Sequence, residues 1–547
     1  MRNDLFISTG NWLYNTFWSN RIRKALTGVL ALALIMGAVY FRPSSDPDTC
    51  AAGIAKRGGE CIGVNGSGYD FGTPEITKVS AAIARENERI AEKPHITVAM
   101  MLPLEPKIPA ERKQLRSDLQ GAYLAQYRVN RRENTPLLRL VLANPGKDYR
   151  QQEEVVDALA EMADSQENLR AVTGFNLSLS DTEKAIRRLT NELGIPVLAS
   201  RVSADGLANE DGGTGELAYD GLARVIPTNR QQADALASFQ GDLSDRETVL
   251  VRDTRPRDIY VKSLARAFSR DEDGPPGAKD QPFESPGITE VGDTGNDFTT
   301  IGHNICQSAA KVVYFAGRPA HLRLFALKLA DTPCHGKRYT VISGSGAATL
   351  ERYMSEADWK RLEGSDDGTG EPAVTVQYSA PAHPDTWDRA LSDWEKEREE
   401  ETGRKPAAKE RPAYLTEPQK ELRALQRVIE QQSAGDIGPV ALEDSRTIMV
   451  HDGVRTVAEA VFLANSQTEG SVPPLDRVTA QWARLESRHR VTGASGWICL
   501  TNGGNPYDKP VAVVELDPST RKLAFEGIGW PLGEAQPSDC VVPSGID

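Results

Sequence analysis

The sequence predicts an α/β protein of two doubly wound lobes preceded by a single transmembrane helix. Three observations carry that expectation. A charge-free apolar run lies near the start of the chain. From residue 95 onward, short apolar segments alternate with amphipathic helical ones. The alternation then pauses near 224–227 and begins again. Strands alternating with helices of this length signal βαβ units and a parallel sheet, so two rounds signal two lobes.

The first element is the run ALTGVLALALIMGAVYF, residues 25–41, which holds 17 residues and no charge. A helix crossing the hydrocarbon needs about 17–25 residues. Arg21, Arg23 and Lys24 precede the run, and Asp46 and Asp48 follow it. Positive charge stays cytoplasmic, so residues 1–24 are expected as a cytoplasmic tail and the main domain outside the cell membrane, in a single-pass arrangement. A cleaved signal peptide is the alternative. Against it, the segment before the run is long for a leader and no good Ala-x-Ala site follows. Residues 42–93 read as a polar stalk that ends in a helix, Thr77 to Lys93.

The first round of alternation starts with the strand ITVAMMLPL (96–104) and a helix from Glu111 to Arg132. The strand 137–143, helix Tyr149–Ala163, strand 169–175, helix Thr182–Leu193 and strand 195–199 follow. The second round runs through helix 230–241, strand 248–252, helix 258–269 and strand ITEV (288–291). Helix 297–307, strand 311–317, helix 321–330 and strand 339–343 complete it. Residues 388–432 break the pattern with dense alternating charge, and read as a solvated helical insertion interrupted near Pro406 and Pro412. In open α/β sheets ligands bind at the carboxyl ends of strands, so a cleft between the lobes is the default site.

Composition narrows the function. The chain of 547 residues has a formal net charge of −13, and its first 44 residues are positive, so the rest is more acidic still. An acidic domain repels nucleic acid, which needs clustered Lys and Arg. The six cysteines all follow the apolar run and fall into local pairs, Cys50 with Cys61, Cys306 with Cys334, and Cys499 with Cys540. Sequence alone leaves their connectivity open; an oxidising exterior and locality favour these three disulfides. No C-x-x-C or histidine cluster suggests a metal, and no cofactor motif is present. Enzyme signatures such as G-x-S-x-G and H-E-x-x-H are also missing. His451 beside Asp452 invites an acid–base reading, but both are expected at a helix start, where Asp is a common cap.

Several segments together resemble one family. VHDGVRTVAEAVFLA (450–464) and GASGWICLTNGGNPYDKPVAVVEL (493–516) are similar to the terminal helix and hairpin of branched-chain amino-acid-binding proteins of ABC transporters. GFNLSLSDTEKAIRRLTNELGIPVLAS (174–200) and VRDTRPRDIYVKSLARAF (251–268) are similar to that family's first-lobe loop and second-lobe opening. The resemblance implies a type I periplasmic-binding fold, in which three crossovers join two Rossmann-like lobes. It places the first lobe at 94–226 and 346–500, the second at 227–345, and the last crossover with the C-terminal segment at 501–547. It also implies solute capture for an ABC-type importer, with a permease as partner and no catalysis. A membrane-anchored sensor or scaffold with a signalling partner is the alternative.

In the family, serine or threonine hydroxyls and backbone amides of two loops hold the ligand carboxylate. The matching positions are Ser178 or Ser180 in one loop and Val202 or Ser203 in the next. Tyr260, near Asp258, and Arg318, beyond a strand's carboxyl end, are the second-lobe candidates. The loop Ser343-Gly344-Ser345-Gly346 adds Ser345. That loop lacks the acid that amino-acid binders use to hold an ammonium, and Leu104-Glu105-Pro106-Lys107 lacks the family's small residues. The expected ligand is therefore an amino-acid-like or other small polar or anionic molecule.

Overall fold

A computed structural model describes residues 49–132, 136–209, 217–240, 248–269, 280–334, 337–363, 373–466, 472–535 and 539–543. The chain divides into two units, Met1–Cys50 and Ala51–Asp547. Of the first, only Thr49 and Cys50 are described. Among the described residues no helix is long and apolar enough to cross a membrane. The helix expected at 25–41 and the tail at 1–24 lie outside them. The expectation of a membrane-anchored, single-pass protein is accordingly corrected. It rested on a run of the minimum length that spans a bilayer, and nothing in the described fold adds to it.

The second unit is built on two sheets. The first contains β1 (Ile54–Arg57), β2 (Glu60–Asn65), β3 (His95–Met101), β4 (Leu137–Asn144), β5 (Leu169–Thr173), β6 (Val197–Ala199) and β7 (Leu222–Arg224). Their spatial order is β1-β2-β4-β3-β5-β6-β7. The strands from β3 to β7 pair in parallel, as their unbroken apolar runs require for strands buried on both faces. β1 and β2 form an antiparallel hairpin that adds to β4. Part of the segment expected as a stalk is thus built into the sheet. Its helix, α1 (Thr77–Ile90), buries Val79, Ile83 and Ile90.

The second sheet holds β8 (Thr248–Asp253), β9 (Gln281–Phe283), β10 (Val312–Ala316), β11 (Tyr339–Ser343), β12 (Val374–Ala380), β15 (Val511–Asp517) and β16 (Lys522–Gly529). Its order is β9-β8-β10-β11-β12-β15-β16, and the last two strands join antiparallel. The expected strand at 288–291 does not form. Pro286 and Gly287 bend the chain just before it, and Phe283 anchors β9 instead, packed against Phe298 and Phe315 with ring centroids 4.8 and 5.7 Å away. Residues 288–290 are left as a loop facing the first lobe.

After β12 the chain enters α10 (Thr386–Thr402) and α11 (Ala413–Glu430), separated by a break that Gly403 opens at φ +69°. These are the expected charged helices, and they also bury Trp387, Leu391, Leu415, Leu422 and Leu425. The chain then reaches α12 (Arg446–Asn465), which lies on α2 (Pro109–Val129) of the first lobe. The two helices approach closely because Gly121 has no side chain. A Cβ there would stand 2.5 Å from the Thr447 carbonyl oxygen. A short hairpin, β13 (Val491–Gly493) with β14 (Gly496–Ile498), precedes the return to the second sheet. Cys306 is bonded to Cys334 and Cys499 to Cys540, with Cα separations of 5.3 and 5.9 Å. Cys50 and Cys61 are each disulfide-bonded.

Candidate ligand cleft

The carboxyl ends of the parallel strands in the first lobe face the second lobe. The candidate residues meet there, and much of their bonding capacity is used between the lobes. Ser178 is buried, and its carbonyl accepts the N–H groups of Ile259 and Tyr260 at 3.1 and 3.2 Å. Those amides open α6 (Ile259–Ser269), so a first-lobe carbonyl caps a second-lobe helix and satisfies donors that its first turn leaves free. The N–H of Ser180 donates to the Arg257 carbonyl at 3.1 Å, and Leu179 bridges to Asp258.

Asp258 organises the second-lobe side. It has no exposed side-chain surface and accepts a two-pronged pair from Arg318, at 2.9 Å from Nε and 2.7 Å from Nη2. Arg255 and the Val261 amide also bond to it. Burial pushes its carboxyl up, but the Arg318 charge and hydrogen bonds more than reverse this and hold it below the ordinary range. The Arg318 guanidinium lies 4.6 Å from the centre of the Tyr260 ring, a cation–π contact. The Tyr260 hydroxyl accepts the Gly346 amide at 3.0 Å, next to the buried Ser345. Tyr260, Arg318 and the loop carrying Ser345 therefore form one cluster with Ser178. Ser203 sits apart at the first crossover, its carbonyl accepting the Asn229 amide at 2.7 Å.

A second set of cleft groups had no distinct signature in the sequence. Arg446, at the start of α12, pairs with Asp118 of α2 at 2.5 Å and donates to Gln114 Oε1 at 2.9 Å. Arg352 pairs with Asp444 at 2.5 Å and donates to Ser117 Oγ at 3.1 Å. Arg201, in the loop after β6, keeps two buried guanidinium nitrogens without partners. Burial and the nearby Arg446 charge bring it down to about 10. In sequence each of these arginines reads as an ordinary helix or loop cation.

Beside this cluster lies a cavity of about 350 Å³, within the usual range for small-molecule sites. The loop Pro103–Ile108 after β3, the start of α2 and the loops after β4 and β5 form its first-lobe walls. Ile288, Thr289 and Glu290 close it from the second lobe, and Lys147 bonds Glu290 across the gap at 2.7 Å. Asp148 and Tyr149 on its rim have φ of +57° and +63°, a left-handed backbone that costs side-chain-bearing residues about 1–2 kcal/mol each. The buried Tyr149 ring holds them there, its hydroxyl bonded to Asn176 Oδ1 at 3.0 Å. Glu111 also lines the cavity. Burial, then the neighbouring Glu290 charge, raise its carboxyl to about 6.

His451 and Asp452 lie within α12 rather than at its start, and both are buried. Asp452 accepts the amides of Ala494 and Ser495 at 3.1 and 2.7 Å, so it pins the β13–β14 turn and not its own helix. Burial brings His451 down to about 4, and neither residue lines the cavity. Among the described residues no group of three or more His, Cys, Asp or Glu is placed to hold a metal ion.

No family model matches the sequence, and no curated protein matches it. Solved structures do match. A leucine-binding protein from Thermotoga maritima aligns with a TM-score of 0.52 at 16% identity, covering 79% of this chain and 98% of that one. The substrate-binding protein of a branched-chain amino-acid transporter from Streptococcus pneumoniae, in complex with isoleucine, gives 0.52 at 13%, covering 80% and 99%. A solute-binding protein of an ABC transporter from R. palustris, in complex with 4-hydroxybenzoate, gives 0.51 at 13%, covering 82% and 98%. Likeness at these identities establishes fold. The chain has the two-lobed, periplasmic-binding-protein-like fold of substrate-binding proteins of ABC transporters, an architecture suited to holding a small ligand. These comparisons support the fold without the anchor, so the membrane is dropped as a partner.

Proposed function

We propose that the protein captures a small molecule between its lobes as the extracytoplasmic binding component of an ABC-type importer, without catalysing a reaction on it. The cavity of about 350 Å³ carries this reading. It stands at the carboxyl ends of β3, β4 and β5, where open α/β sheets bind ligands, and the second lobe covers it. Asp258, Asp118 and Asp444 are paired with Arg318, Arg446 and Arg352, and among the described residues of the cleft no nucleophile is joined to a base. None of Ser178, Ser180, Ser203, Tyr260, Arg318 and Ser345 lines this cavity; in this proposal all but Ser203 belong to the contacts beside it that hold the lobes together.

The alternative, a sensor or scaffold, draws on those same interlobe bonds, because they occupy the positions where the resembled family holds its ligand. A thermal-shift screen of the full chain against amines, carboxylates, amino acids and sugars separates the two. A ligand present at a hundred times its Kd adds about 2.7 kcal/mol to the native state. A dose-dependent rise with one chemical class is the expected result; a folded sample unmoved by any class would shift the reading to the scaffold.

A further inference from the structure

Resting on the capture reading, we infer that the cavity takes an organic cation, an amine-bearing ligand whose ammonium pairs with Glu111 while its apolar body lies against Leu115, Leu177 and Ile288. The acids of the lining are largely committed. Glu60 accepts the Lys147 amide at 3.0 Å, Glu105 accepts the Cys61 amide at 2.5 Å, Glu290 is paired with Lys147, and Asp148 lies 3.6 Å from Arg150. Glu111 makes no hydrogen bond or ion pair among the described residues, although it lines the cavity and is partly buried. A carboxylate in such a place needs a cation.

The remaining lining agrees. Five acids, Glu60, Glu105, Glu111, Asp148 and Glu290, face three bases, Lys107, Lys147 and Arg446. The Arg446 charge is already matched by Asp118 behind it. Arg446 is also more than nine-tenths buried and has a buried Nε without a partner, a donor left for an acceptor atom on the ligand. An anionic ligand has less to recommend it here, because Arg318 is spent on Asp258 and Arg201, with its two unpartnered nitrogens, does not line the cavity.

Benzylamine and benzoate, equal in bulk and opposite in charge, test the assignment by calorimetric titration of the full chain. The groups facing Glu111 are Glu290, Asp148, Lys147 and Arg446, with Tyr353 nearby. With its carboxyl at about 6, Glu111 is mostly protonated at pH 5 and ionised at pH 7.5, so benzylamine is expected to bind about tenfold more tightly at the higher pH. Glu111→Gln should abolish that pH dependence and weaken binding at least tenfold, with the fold intact because Glu111 holds no partner. Benzoate binding as tightly as benzylamine, or benzylamine binding unchanged in the variant, would overturn the cation assignment and leave capture standing. If no compound of any class binds the folded protein, the capture reading itself fails.

Discussion

At the scale of single residues, the cleft holds two carboxylates with opposite situations. Asp258 is stabilised as an anion by Arg318 and Arg255, whereas Glu111 is not. Arg318→Met should therefore cost about 3–5 kcal/mol, because it strands a buried charge with fewer partners, measurable by urea unfolding at pH 7. Glu111 acts in the other direction. Its folded carboxyl, at about 6, lies above the ordinary 4.5, so the folded protein holds this proton more tightly than the unfolded chain. Stability is full below the unfolded value and falls as pH rises toward 6 and beyond. Glu111→Gln should thus stabilise the protein by about 1–2 kcal/mol at pH 7 and hardly at all at pH 4. Thermal melts of both proteins across that range would show it; equal effects at both pH values would refute it. Sequence brought Ser178, Tyr260 and Arg318 forward through the loops that carry them. It could not single out Glu111, which reads as an ordinary acid in the first turn of an amphipathic helix.

At the scale of elements, the parallel strands were legible because burial on both faces writes them as continuous apolar runs. β1 and β2 were not, since a Gly-rich hairpin in a polar segment carries little periodic signal. β9 was missed for a different reason: it has three residues, one of them Pro282, and its place is set by the Phe283 ring rather than by alternation. The contact between α2 and α12 depends on Gly121, and Gly121→Val should force the helices apart at a cost of about 1–3 kcal/mol. A lowered urea midpoint with an unchanged slope would register it. The Cys306–Cys334 bond joins positions 28 residues apart. Replacing both by Ser should cost about 3 kcal/mol, again read from the midpoint. An unchanged midpoint would mean that the packing of Phe298 and Phe325 alone holds that end of the lobe.

At the scale of the whole molecule, the second sheet is completed only by β15 and β16, more than a hundred residues after β12. Between them the chain has returned to the first lobe and built α12 there. Neither lobe can be finished without the other's share of chain, so calorimetry should show one cooperative transition, not two resolved ones. The resemblance implied a return to the first lobe over 346–500, but β12 (Val374–Ala380) still belongs to the second sheet; the pattern of strands and helices marks two rounds but says nothing of a late return. The membrane anchor belonged to the same scale, and one run of 17 uncharged residues with its flanking charges was too little to support it.

The helix cap that crosses the cleft has a kinetic corollary. The Ile259 amide is held by the Ser178 carbonyl of the other lobe, whereas that of Tyr260 also donates to Asp258 Oδ1 within its own lobe, so the Ile259 amide becomes open to solvent when the lobes part, even while α6 stays folded. Its deuterium uptake would then time the opening of the cleft itself, and one backbone proton serves as a clock for a motion involving hundreds of residues.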